Sequence, residues 1–176
     1  RMRLIGAHNR LNALSVIAVA ASIGIDPQTI AGALETFAGI KRRQEIRGVK
    51  NGVTVLDDFA HHPTAVKETV SAVKSFYPDN RLIAVFEPRT NTSMRRVFQT
   101  VYPESFDGAD LICIRKPPLL HKVPEKEQFS SENLAAELQK KRKGRPVFPG
   151  HGNGYRFCRN LRPPRRYRSG HVQRRL

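Results

Sequence analysis

The segment DDFAHHPTA carries the densest group of side chains that could take part in chemistry. Two adjacent carboxylates, Asp57 and Asp58, are followed by His61 and His62, and Pro63 then begins a predicted helix. The aspartates end a predicted strand, and open α/β folds bind ligands beyond the carboxyl ends of their strands. Because adjacent side chains rarely point the same way, the histidine pair does not favour a zinc site. The segment therefore predicts a ligand-binding loop.

A second polar segment, FEPRTNTS, follows the apolar run RLIAVFE. Arg89, Asn91 and Thr92 could bind the carboxylates of a small acidic ligand, because a guanidinium pairs well with planar oxyanions. The alternative is a loop that only caps a following helix. Since both segments follow predicted strands, we expect the two loops to leave the same edge of one sheet.

Two further segments are candidates for binding an anion. His8, Asn9 and Asn12 lie in GAHNRLNA at the start of a predicted helix, where free backbone N–H groups favour phosphate. A simple helix cap is the alternative reading. The arginines of GIKRRQE, a link between two predicted domains, could clamp nucleotide phosphates between them. A solvated run of charges is the alternative there.

The pattern of apolar residues indicates which elements position these loops. It predicts a helix over 12–23, with the apolar run LSVIAVAASIGI expected to be buried, and a second helix from Asp26-Pro27 to Gly39. EIRGVKNGVTVLDD then alternates with a period of two around Asn51-Gly52, which predicts a β-hairpin.

Helices and strands alternate in the remainder of the body. We predict helices over 64–76, 93–102 and 131–141, and buried strands at RLIAVFE and ADLICI. Such alternation is typical of an α/β fold with a parallel, doubly wound sheet.

The net positive charge of the chain suggests a second candidate function. The formal net charge is +16, and residues 150–176 contain eight arginines and no acidic residue. A basic arm that binds nucleic acid is one interpretation. The tail shows neither helical nor strand periodicity, so we expect it to be irregular, and we favour out-of-frame translation over a natural disordered arm because it begins abruptly after an orderly α/β pattern. The body of the chain is only moderately basic.

The cysteines and the absence of long apolar runs in the sequence indicate the cellular compartment. The two cysteines, Cys113 and Cys158, match no metal-ligand spacing and no disulfide framework. No apolar run approaches the ~20 residues that span a bilayer, and no secretory signal is evident. We expect a soluble, cytoplasmic protein that does not bind a membrane.

Taken in order, GAHNRLNAL, FAGIKRRQE, DDFAHHPTA and FEPRTNTS resemble the Mur ligases over residues 3–149. DDFAHHPTA, FEPRTNT and KPPLLHKVPEKEQFSS together look most like the murein-peptide ligases of that family. The resemblance implies an ATP- and magnesium-dependent ligase that joins L-Ala-γ-D-Glu-meso-diaminopimelate to UDP-N-acetylmuramate through an acyl phosphate during peptidoglycan recycling. Another UDP-muramyl amino-acid ligase is the alternative within the family.

The resemblance also assigns roles to individual residues. It places ATP near His8, Asn9, Asn12, Arg43 and Asp58. It places the incoming peptide near a second set of residues: His61, His62, Arg89, Asn91 and Thr92. It implies no metal ligand in this chain and no complete set of catalytic residues.

The implied organisation has three parts. Residues 1–40 are similar to the last helices of a central ATPase domain, residues 41–149 to the Rossmann-like C-terminal domain, and 150–176 form the basic tail. The sequence contains no GxxxxGK[ST] phosphate loop. We therefore expect a chain that needs the N-terminal and central domains of the family and is inactive alone.

Overall fold

The computed structural model describes residues 4–141 and 147–150. Two helices come first, α1 (Ala7–Ser22) and α2 (Pro27–Thr36). Pro27 occupies the first turn of α2, and the Asp26 carboxylate accepts a hydrogen bond from the Thr29 amide at 2.9 Å. This cap holds the pKa of Asp26 below its usual value, chiefly through the Thr29 hydroxyl. The helical pair predicted from the sequence is confirmed.

A β-hairpin follows the helices. Strands β1 (Glu45–Lys50) and β2 (Val53–Asp57) pair antiparallel, with Lys50 opposite Val53. The connecting Asn51 and Gly52 have φ values of 51° and 75°, the positive pair that a tight two-residue hairpin turn requires. The predicted hairpin is therefore confirmed.

The second sheet is parallel and lies in the order β3 (Ile83–Phe86), β4 (Leu111–Arg115) and β5 (Val147–Gly150). Strand β4 is buried from Leu111 to Ile114, as expected for a strand with neighbours on both sides. Helices α3 (Pro63–Phe76) and α4 (Ser131–Lys141) complete the α/β arrangement. The parallel sheet and the mixed α/β class are confirmed.

The core lies between this sheet and the elements that pack on it. It is built from α3, α4, the parallel strands and a turn segment that contains Tyr102 and Phe106. Its members include Val66, Val70, Phe86, Tyr102, Phe106, Ile112, Ile114, Phe129, Leu134, Leu138 and Val147. Full burial of a side chain of this size stabilises the fold by about 1.5–3 kcal/mol.

Three predictions about the elements are wrong. The helix expected over 93–102 is replaced by two short 3₁₀ helices, Arg96–Phe98 and Tyr102–Phe106. Arg95 is extended and forms a β-bridge with Gln128, and this long-range pairing interrupts helical hydrogen bonding. Local helical spacing is therefore overridden by tertiary structure.

The expected burial of α1 is also wrong. Leu14 is 59% exposed and Val19 is 64% exposed, and no α1 residue is buried against the described part of the chain. Helix α1 touches α2 and α3 only in part, which leaves most of its apolar surface uncovered.

The third error concerns the sheet edge. Strand β2 pairs with β1 in a separate sheet, so the loops after β2 and β3 do not leave neighbouring strands. The irregular tail predicted for 150–176 lies outside the described residues beyond Gly150, as does Cys158.

Candidate functional site

The start of α1 is held against α3 by Gly6. Its φ is 98°, and an added Cβ would lie 2.7 Å from the Ala72 Cβ. This close approach brings His8 towards α3, with His8 Nδ1 at 3.8 Å from the Glu68 carboxylate. That distance is too long for a hydrogen bond, and Nδ1 is buried without a partner among the described residues.

Gln44 connects α1 to the loop after β2. Its side-chain oxygen accepts from Asn9 Nδ2 at 3.1 Å, and its side-chain amide lies 3.4 Å from His8 Nε2. The Gln44 backbone N–H donates to Asp58 Oδ2 at 2.9 Å. His8, Asn9 and Asp58, which were predicted to act together, are thus joined through one residue that the sequence did not single out.

Asp58 fixes the beginning of the DDFAHHPTA loop. Its second oxygen, Oδ1, accepts from the Ala60 backbone N–H at 2.7 Å, while the first accepts from Gln44. Both oxygens therefore accept backbone N–H groups, one from the segment before β1 and one from the loop after β2. The Asp58 carboxylate holds this loop against the segment before β1 that contains Gln44.

The two neighbouring arginines, Arg42 and Arg43, differ in their contacts. The Arg42 guanidinium lies 4.8 Å from the centre of the Phe59 ring and 3.7 Å from the Asp57 carboxylate. The backbone N–H of Arg42 also holds the pKa of Glu45 below its usual value. Arg43 is exposed and forms no ion pair within the described part of the chain, so its guanidinium can reach a ligand.

Asn12 does not join this group. It is exposed on α1, and its side chain makes no hydrogen bond to any residue the structure describes. Of the residues predicted on the nucleotide side, the structure brings together His8, Asn9 and Asp58, and leaves Asn12 and Arg43 facing outward.

Replacing Gly6 by alanine should loosen the contact between α1 and α3. The new Cβ would overlap Ala72, and an L side chain at positive φ adds about 1 kcal/mol of backbone strain. Gly24→Ala is the matched control, because Gly24 also has positive φ but has open space around it. In urea unfolding, we expect Gly6→Ala to lower the free energy of unfolding clearly more than Gly24→Ala does. Equal costs would show that the contact with Ala72 contributes nothing.

The two histidines of the loop make separate contacts. The His61 carbonyl accepts from the Tyr102 hydroxyl at 2.6 Å, and its ring lies edge-on to Phe59. The His62 ring packs edge-on to Phe98, with centroids 4.7 Å apart, and His62 Nδ1 accepts from the Thr64 N–H at the start of α3. The loop is therefore anchored to the segment that follows β3, although the two strands lie in different sheets.

The loop after β3 is organised around Glu87. This largely buried carboxylate pairs with the guanidinium groups of Arg89 and Arg115, one on its own loop and one at the end of β4. Most of the Arg89 side chain, 64%, remains exposed. Glu87 thus orients two arginines at the carboxyl edge of the parallel sheet.

Hydrogen bonds within the same loop hold its backbone. The buried Ser93 hydroxyl donates to the Thr90 carbonyl and accepts from the Thr90 N–H at 3.0 Å. Asn91 Oδ1 accepts from Arg95 Nε at 3.4 Å, and Thr92 is exposed. The predicted residues Arg89, Asn91 and Thr92 therefore share one ordered, outward-facing loop.

The segment after β4 forms a groove beside this loop. The groove has a volume of about 820 Å³ and is lined by residues between Lys116 and Gln128. The Phe129 N–H donates to the Met94 carbonyl at 2.9 Å, and Arg95 pairs with Glu127. The loops that follow β3 and β4 are thereby joined into one surface.

Two further findings concern metals and membranes. Across residues 4–141 and 147–150, no group of three or more histidine, cysteine or acidic side chains is arranged to hold a metal ion. None of the helices in the same residues has both the length and the apolar character needed to cross a bilayer.

The parallel sheet with its flanking helices and polar edge defines an α/β domain. The sequence profile of the family described as Mur ligase, glutamate ligase domain matches residues 42–156, and the chain belongs to this family. The expectation drawn from the sequence motifs is confirmed at that level.

The similar proteins are much longer than this chain. UDP-N-acetylmuramate–L-alanine ligase of Clostridium tetani is 40% identical over 143 residues, which span 80% of this chain and 30% of that protein. The ligase of the same name from Clostridium acetobutylicum is 48% identical over 109 residues, 62% of this chain and 23% of the relative. The chain thus spans less than a third of these relatives.

Solved structures give a related result. UDP-N-acetylmuramate–alanine ligase of Thermotoga maritima superposes with a TM-score of 0.58 at 25% identity, over 86% of this chain and 36% of that one. A murein peptide ligase of Psychrobacter arcticus gives a TM-score of 0.50 at 32% identity, over 85% of this chain and 34% of that one.

Proposed function

We propose that this chain is the C-terminal portion of an ATP-dependent ligase that joins L-Ala-γ-D-Glu-meso-diaminopimelate to UDP-N-acetylmuramate in peptidoglycan recycling. The observation that carries the proposal is the joined, basic surface formed by the loops after β3 and β4. Arg89 and Arg115 are oriented there by Glu87. Lys116 and Lys122 line the adjoining groove.

The charge of this surface suits a peptide with several carboxylates. A guanidinium binds a carboxylate through two parallel hydrogen bonds, and each additional carboxylate needs its own donor. L-alanine presents one carboxylate, whereas the tripeptide presents one on its glutamate and more on its diaminopimelate. The surface offers more cations than a single amino acid would use.

In this proposal, the loop residues bind and orient the incoming peptide. Arg89, Asn91 and Thr92 contact its carboxylates, and the DDFAHHPTA loop, with His61 and His62, forms the neighbouring wall. The reactive amine of the peptide would then displace phosphate from the activated muramyl carboxylate. The chain's contribution to this step is to position the amine.

The nucleotide side would hold ATP next to the central domain. Arg43 has an exposed guanidinium suited to phosphate, and the half-buried side chains of His8 and Asn9 would line the pocket for the base or ribose. Asp58 accepts hydrogen bonds from two backbone N–H groups, and its role would be to keep the loop after β2 next to Gln44. Magnesium would enter bound to the phosphates, and the dependence on ATP suggests the cytoplasm. The proposed division at residues 40 and 41 assigns these groups to two domains.

A second candidate is the addition of L-alanine to the same UDP-muramyl acceptor. It is favoured by the names of the curated relatives, which include the two Clostridium proteins described above. The tripeptide is favoured by the motifs of the loops and by the greater identity to the murein peptide ligase than to the alanine ligase among the solved structures.

Titration calorimetry of the 176-residue chain separates the two candidates. We expect the tripeptide to bind and L-alanine to bind more weakly by at least about tenfold, because each lost charged hydrogen bond costs about 1.5–3 kcal/mol. Arg89→Ala should weaken tripeptide binding by about tenfold for the same reason. Arg81→Ala, at the opposite end of β3, is the matched control and should have no effect. Preference for L-alanine would overturn the tripeptide assignment.

A further inference from the structure

The wall of the groove after β4 is held by local hydrogen bonds and turns. Two 3₁₀ turns, Leu120–Lys122 and Glu125–Glu127, form its wall, and Gln128 Nε2 donates to the Leu120 and Val123 carbonyls at 3.2 and 2.9 Å. Three prolines in the lining restrict the backbone further. Little ordering would be needed when a ligand binds.

The lining of the groove combines three kinds of side chain. Lys116, His121 and Lys122 supply cationic or donor groups, and Glu125 supplies one carboxylate. Leu120, Val123 and the prolines supply an apolar surface between them. A ligand that fits this combination has an aliphatic chain ending in both a carboxylate and an ammonium group.

The groove continues directly from the loop that carries Arg89. Lys116 follows Arg115, whose guanidinium shares Glu87 with Arg89. On the other side, Arg95 forms a β-bridge with Gln128. One extended ligand can therefore contact the Arg89 loop and the groove together.

We propose that the groove lined by residues 116–118, residues 120–125 and Gln128 binds the distal end of the incoming peptide, a methylene side chain that ends in an amino-acid zwitterion. Lys116 and Lys122 bind its terminal carboxylate, Glu125 binds its ammonium group, and Leu120 contacts the methylene chain. This inference rests on the proposed function and assigns to the groove the choice of the third residue of the peptide.

Two tripeptides test the assignment: one that ends in meso-diaminopimelate and one that ends in lysine, which lacks the distal carboxylate. For the unmodified 176-residue chain, we expect the diaminopimelate peptide to bind about tenfold more tightly. The double variant Lys116→Gln/Lys122→Gln should bind both peptides equally. Lys126→Gln, a change at an exposed lysine of the same segment outside the groove lining, should leave the preference intact.

The outcomes distinguish the groove from the proposed function. Arg89→Ala should weaken both peptides alike and preserve their ratio. Equal binding of the two peptides by the unmodified chain, or a preference that survives in the double variant, would overturn the groove assignment and leave the function standing. If neither tripeptide binds, the proposed function is overturned together with the inference.

Discussion

Replacing Tyr102 by alanine is expected to lower the free energy of unfolding by about 4 kcal/mol, since removing a buried aromatic ring leaves a cavity. The Tyr102 side chain is fully buried, and its ring contacts Phe86, Phe98 and Phe129. It also joins the His61 loop to the core, so the site should lose order together with stability. Urea unfolding followed by circular dichroism measures the change.

Tyr102→Phe separates the hydroxyl from the ring. It retains the packing but leaves the His61 carbonyl without its 2.6 Å donor, which should cost about 1–2 kcal/mol. If alanine and phenylalanine at this position destabilise equally, ring packing is not the main contribution. If phenylalanine costs nothing, the hydrogen bond does not hold the loop.

Tyr102 also predicts a dependence of stability on pH. Burial raises the pKa of its phenol above the usual value, so in alkaline solution the unfolded chain releases this proton first. The stability contributed by the neutral phenol is complete below about pH 10 and is lost as the pH rises above that value, by up to ~1.4 kcal/mol per pH unit. Tyr102→Phe should lack this part of the alkaline loss.

Asp58→Ala should be the most damaging change in the contact between the DDFAHHPTA loop and the segment before β1. It removes the acceptor of two backbone N–H groups, from Gln44 and Ala60, and should cost about 2–3 kcal/mol. The adjacent Asp57 is the matched control, because its side chain is 39% exposed and pairs with Arg42 only at 3.7 Å. Asp57→Ala should cost under ~1 kcal/mol.

The same pair of variants tests the role of Gln44. In the Asp58→Ala protein, amide hydrogen exchange at Gln44 and Ala60 should accelerate, and the contacts from Gln44 to His8 and Asn9 should weaken. Equal stability losses for the two aspartate variants would contradict the assignment of Asp58 as the anchor of the loop.

The elements predicted correctly are those whose signals are local. Asn51-Gly52 specifies the hairpin turn through its positive φ values, and Asp26 with Pro27 specifies the start of α2. The helix predicted over 131–141 is α4 with the same limits, because its apolar residues face the sheet at regular helical spacing. These features depend on neighbouring residues and are therefore visible in the sequence.

The errors arise where distant residues decide the structure. Arg95 is extended because it pairs with Gln128, which no local pattern indicates. The apolar residues of α1 correctly predicted a helix, but periodicity does not identify what covers it. The strand β5 was not assigned, because the short run around Val147 gains its conformation by pairing with β4.

In the candidate site too, local sequence patterns predicted only part of the arrangement. The four motifs predicted which loops carry polar groups, yet Gln44 was not recognised among the charged residues around it. Arg42 and Gln44 have positive φ values of 58° and 52°, and this backbone geometry turns the Gln44 side chain towards Asn9. Its partners lie 35 and 14 residues away, so spacing alone gave no signal.

Residue-resolved NMR of the tripeptide and L-alanine titrations tests the central claim most directly. With the isotope-labelled 176-residue chain, we expect the tripeptide to shift the amide signals of residues 87–95 and 119–129 together, and L-alanine at the same concentration to shift them far less. Shifts confined to the arginine-rich residues 151–176, or a response to L-alanine that equals the response to the tripeptide, would contradict it.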